Sequence, residues 1–105
     1  MSFYNFRQNN SGGVHEGPAV NVVIEASTAE EANRIAVERA GLYFDGCDSG
    51  RDCRCCGDRW YRAGRWSDEA TADVPEIEPW DQHWASGAKI PTQLVIRAEA
   101  KELTR

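Results

Sequence analysis

The sequence has no apolar run approaching the ~20 residues that a membrane-spanning helix requires. Residues 1–10 alternate aromatic and polar side chains and lack the apolar stretch of a secretory signal, so a reducing cytoplasm is the expected compartment. There is no Gly-x-Ser-x-Gly elbow, no P-loop and no dinucleotide fingerprint, which leaves the enzyme classes built on those motifs without support. There is no surplus of positive charge either. A formal net charge of −5 excludes a general binder of nucleic-acid backbones and is too small for a DNA mimic. Internal repeats, linkers and low-complexity tracts are also missing, which leaves a solenoid reading without support.

What is present fits one small domain. At 105 residues, 41% hydrophobic and 28% charged, the composition is that of a soluble globular chain with room for a single core. Phe3 to Gln8 reads as a strand, and Asn9-Asn10-Ser11-Gly12-Gly13 as a turn, or as a nest of amides for an anion. Ala19 to Ala26 is a second strand, with Val20, Val22, Ile24 and Ala26 on one face. Thr28 and Glu31 form a capping box, and Ala29, Ala32, Ile35, Ala36 and Ala40 make an apolar stripe at helical spacing that ends at Gly41. Trp60 to Ala63 is expected as a third strand and Gln93 to Ala100 as a fourth. Between them, residues 67–92 form a long acidic connection, within which Pro79 starts a short helix carrying Trp80 and Trp84 one turn apart. The expected architecture is therefore a single α+β domain over residues 1–105. It has a small antiparallel sheet of about four strands, one packed helix and a zinc-binding loop.

That loop carries Cys47, Cys53, Cys55 and Cys56, spaced C-x5-C-x-C-C. In a reducing compartment four clustered thiols point to metal ligation rather than disulfides, and thiolates suit tetrahedral zinc. Gly46, Gly50 and Gly57 give the loop backbone freedom, and the nearby arginines offset the charge of a tetrathiolate. Because adjacent side chains diverge, Cys55 and Cys56 can both ligate only in an irregular loop; otherwise His15 or His83 completes the site. Free structural thiols, a disulfide or redox chemistry are the alternatives. Asp48, Asp52 and Asp58 offer the acid or base of a zinc hydrolase, although acids in turns usually serve only the turn.

Two further groups of residues suggest binding. Arg54, Arg59, Arg62 and Arg65 are interleaved with Trp60, Tyr61 and Trp66, a pattern able to stack a base and hold its phosphate. Equally, these arginines can pair with the acids from Asp68 to Glu78 as a solvated face. Trp80 and Trp84 in the long connection suggest a surface for another protein.

The run Phe6-Arg7-Gln8-Asn9-Asn10-Ser11-Gly12-Gly13, with Gly41-Leu42-Tyr43-Phe44-Asp45-Gly46-Cys47 and Asp52-Cys53-Arg54-Cys55-Cys56-Gly57-Asp58-Arg59-Trp60, resembles a family of small uncharacterised proteins from tailed bacteriophages. The resemblance covers roughly residues 1–62 and implies expression in a host bacterial cytoplasm, with no activity attached. The expected function is a zinc-stabilised, non-enzymatic phage accessory protein that binds a host or phage protein. The alternatives are a nucleotide or small-molecule binder that counters host defence signalling and, third, a zinc-dependent hydrolase.

Overall fold

The computed structural model describes residues 1–9, 15–52, 54–64 and 70–98. The aromatic opening forms β1 (Ser2–Arg7), and the valine-rich run forms β2 (Asn21–Ala26). They pair antiparallel with Phe6 opposite Val22 and Tyr4 opposite Ile24, so these four side chains share one face of the sheet. Val22, Val23 and Ile24 are all fully buried, which means that β2 is covered on both faces rather than on the one that its alternation suggests. Both edges of β2 are paired as well: the strand order is β3-β1-β2-β4, with β3 (Ala70–Thr71) against β1 and β4 (Gln93–Ile96) against β2.

The expected α+β architecture with four strands is present, but the sheet is mixed. β4 runs parallel to β2, with Val22 beside Leu94 and Ile24 beside Ile96. Parallel neighbours need a crossover connection, and the long stretch from α1 (Ala29–Ala40) through the cysteine loop to α3 (Pro79–Ala88) supplies it.

The α1 helix begins and ends where its sequence directs. The Thr28 hydroxyl accepts from the Glu31 amide at 3.1 Å, and the Glu31 carboxylate accepts from the Ser27 amide at 2.8 Å. Gly41 takes a left-handed φ of 71°, which lets it and Leu42 donate to the Ala36 carbonyl. Ala32, Ala36 and Ala40 are buried and pack with Phe6, Val22, Ile24, Ile96, Leu42 and Trp60 into one core. Small side chains bring the helix close to β2 but fill little volume; Trp60, Phe6 and Leu42 fill the rest. Thr28→Ala should cost ~1 kcal/mol as a lost cap. Ala36→Glu should cost about 3 kcal/mol or more, because it forces an unpaired charge against the sheet. Urea titrations of the two variants check the buried face; equal losses would place Ala36 on the outside.

Trp60 to Ala63 is not a strand. Gly57 and Gly64 on either side hold left-handed φ values of 89° and 99°, and side chains take the place of a strand partner. The Asn33 amide brackets Ala63, donating to its carbonyl at 3.1 Å and accepting from its amide at 2.7 Å. The third strand is instead the two-residue β3. The expected turn at residues 10–13 and the end of the last expected strand, residues 99–100, lie outside the described residues.

Candidate functional site

The cysteine loop is built on a single helical turn, α2 (Gly46–Ser49). Asp45 enters it with a left-handed φ of 58°, and the Gly46 carbonyl accepts from the amides of Arg51 and Asp52 at 2.8 and 3.0 Å. Gly46 is required here, since a Cβ at this position would overlap the Asp52 carboxylate. That carboxylate is buried and serves the loop itself. It accepts from the Tyr43 hydroxyl and from the Arg59 amide, both at 2.8 Å. Asp58 accepts from the Cys47 amide at 2.9 Å. Both acids therefore act as turn formers.

Side chains from the end of β1 tie the loop to the sheet. Asn9 donates through its amide group to the Cys56 and Asp58 carbonyls at 2.6 and 3.3 Å, and its backbone amide donates to the Arg59 carbonyl at 2.8 Å. The Arg59 guanidinium, buried, donates to the Gln8 side-chain carbonyl at 2.8 Å and lies 3.7 Å from the Glu16 carboxylate. The sequence pattern put Gln8 at a strand end and Asn9 in a turn, and gave neither of them this tie to the loop. Their only local sign is a pair of amides placed where an apolar strand gives way to a loop.

Cys47 is half-buried, while Cys55 and Cys56 are exposed. The Sγ atoms of Cys55 and Cys56 are 3.8 Å apart. Two thiolates on a tetrahedral metal with bonds of ~2.3 Å lie about 3.8 Å from each other, so the pair fits two positions of such a site. A disulfide, at about 2.05 Å, it is not. Burial and the neighbouring Asp58 carboxylate push the Cys47 thiol up to about 11, which keeps it protonated at neutral pH. Cys53 lies outside the described residues, and among the described residues no three histidine, cysteine, aspartate or glutamate side chains gather as a metal site.

The arginine and aromatic residues read as able to stack a base differ in depth. Arg59 and Trp60 are buried, because Arg59 bridges the loop to β1 and Trp60 fills the core. Arg62 pairs with Asp45 at 2.8 Å, and Arg54 is exposed. Arg65 and Trp66 lie outside the described residues.

A second candidate surface is α3, which starts at Pro79 as its sequence predicts. Its anchor is Asp81, a residue that the sequence pattern did not mark. The Asp81 side chain is 0% exposed and accepts from the Arg7 guanidinium at 2.9 and 3.3 Å and from the Asn21 amide at 2.9 Å. Arg7 and Asn21 face each other across the β1–β2 ladder, on the side of the sheet away from α1. The available signal was Asn21 itself, a polar side chain in a central strand, which must find a partner when buried. With α3 fixed in this way, Trp80 remains 53% exposed and Trp84 40% exposed. His15 stacks on Trp84 with ring centroids 4.8 Å apart, and burial, with help from Arg59, lowers its pKa below the usual 6.5. His83 is exposed on α3, so neither histidine joins the thiols among the described residues.

A family model described as a domain of unknown function (DUF7296) matches residues 1–102. No curated protein and no solved structure matches the chain.

Proposed function

Because the chain belongs to the DUF7296 family, whose description names no activity, we propose its function from its own geometry: a non-enzymatic accessory protein that binds another protein through α3. The observation that carries this reading is the exposure of Trp80 and Trp84 on a helix pinned by the wholly buried Asp81. Tryptophans dominate binding energy at protein interfaces. A helix already held in place loses little freedom on docking, so more of that energy appears as affinity. The nucleotide reading is weaker, because two of its residues, Arg59 and Trp60, are buried. The resemblance to tailed-phage proteins supports a host or phage protein as partner, met in the host cytoplasm.

Zinc belongs to the same proposal as a staple. Cys55 and Cys56 would hold it together with Cys47 and Cys53, the remaining thiols of the run. The ion would cross-link a loop already tied to β1, and a chain of this size gains from such a cross-link.

Trp80→Ala and Trp84→Ala should each weaken partner capture by ~2 kcal/mol or more, about 30-fold, without unfolding the chain. A pull-down with quantified capture, run beside circular dichroism of each variant, tests this. Folded variants that capture the partner as well as the parent protein would end the proposal.

A further inference from the structure

We infer that the α3 face takes a basic, apolar peptide segment of its partner, one that lays arginine or lysine and an aliphatic side chain across Trp80 and Trp84. This rests on the reading of α3 as the docking surface. The argument is one of charge. Asp73, Glu76 and Glu78 lead into α3, are all exposed, and have no ion pair among the described residues. Glu78 stands at the N-cap of α3, yet its side chain makes no capping bond. From residue 70 to residue 88 the sequence holds no lysine or arginine; the first cation is Lys89. Asp81 does not add to this charge, because Arg7 neutralises it.

Three uncompensated carboxylates thus precede two exposed indoles, with Ile77, 40% exposed, among them. An acidic partner would be repelled, and an apolar one would leave the carboxylates unanswered. A cation satisfies both features at once: the carboxylates attract it over a distance of about a Debye length, and an indole face holds a guanidinium by cation–π attraction. Ile77 and the indole edges then take the aliphatic side chain.

Two synthetic peptides of equal length test the inference, one an amphipathic helix former with leucine and arginine each at i, i+4 spacing and the other with glutamate at every arginine. Each is titrated into the full chain, with tryptophan fluorescence as the readout. The cationic peptide should bind and weaken by ~10-fold or more between about 20 and 300 mM salt, as an exposed charge interaction must. The triple variant Asp73→Asn, Glu76→Gln, Glu78→Gln should lose a similar factor, and Trp80→Ala should lose binding at either salt concentration. Equal binding of the acidic peptide, an unchanged triple variant, or cationic binding that survives Trp80→Ala would each overturn the inference. So would a concentration-dependent dimer of the chain alone that Trp80→Ala abolishes in sedimentation, because the occupant would then be a second copy. The pull-down separates the two levels of failure. A partner lost with Trp80→Ala but kept by the triple variant leaves α3 as the docking surface and removes only the basic segment.

Discussion

Trp60→Ala should destabilise the protein by about 3–5 kcal/mol, the range for removing a large aromatic side chain from a core. Domains of this size have a total stability of roughly 5–15 kcal/mol, so the variant should be largely unfolded on modest heating. The size of the effect follows from the composition of the helix above the sheet. Ala32, Ala36 and Ala40 are too small to fill the space left by the indole, and Phe6, Leu42 and Ile96 belong to the same buried cluster. The surroundings are close on the other side as well, since a Cβ added at Gly17 would meet the indole at 3.6 Å. Trp80→Ala is the control. As a surface change it should stay within about 0.5 kcal/mol. Urea denaturation of the two variants decides; a Trp60→Ala loss no larger than that of Trp80→Ala would mean that Trp60 is not core.

The purified protein should carry close to one zinc ion per chain, and a strong chelator should lower its melting temperature by many degrees. A ligand that binds only the folded state contributes ~4 kcal/mol at a thousandfold excess over its dissociation constant, and structural zinc binds more tightly than that in small domains. The Cys55–Cys56 separation of 3.8 Å makes those two thiols the sharpest probe. Cys55→Ser or Cys56→Ser should release the metal, whereas Ser49→Ala in the neighbouring turn should retain it. Elemental analysis and calorimetry give the readouts. Metal-free protein that melts as cooperatively and at the same temperature as the untreated sample would remove zinc from the account.

The elements that were legible in the sequence are those whose signals are local. Thr28, Glu31 and Gly41 mark the two ends of α1, and their hydrogen bonds are where those residues lead one to expect them. Pro79 marks the start of α3 in the same way. The direction of β4 had no local signal, because an alternating strand reads the same whichever way its neighbour runs; only the path of the chain decides it. Trp60 to Ala63 alternates like a strand, but its backbone partners are supplied by Asn33, far away in sequence. The same gap explains the arginine face. Alternation gives the side on which a residue lies and not its depth: it puts Trp60 beside Arg62 and Arg59 beside Tyr61, while Arg59 and Trp60 are buried and Arg62 is exposed. An acid in the first turn of a helix has an ordinary reason to be there, so Asp81 carries no local mark of a further role. Its role depends on Arg7, 74 positions earlier.

The mixed sheet also has a consequence for the order of events during synthesis. Val22, Val23 and Ile24 emerge from the ribosome early and can pair at once with β1, already made. Their other edge must wait for Leu94, Val95 and Ile96, 72 residues further on. At ordinary translation rates of 5–20 residues per second, that delay is roughly 4–14 s. Throughout it a short, uncharged, β-branched run presents an open edge, the kind of segment that seeds aggregation. Closing that edge falls to β4 alone, the last strand of the sheet to be made.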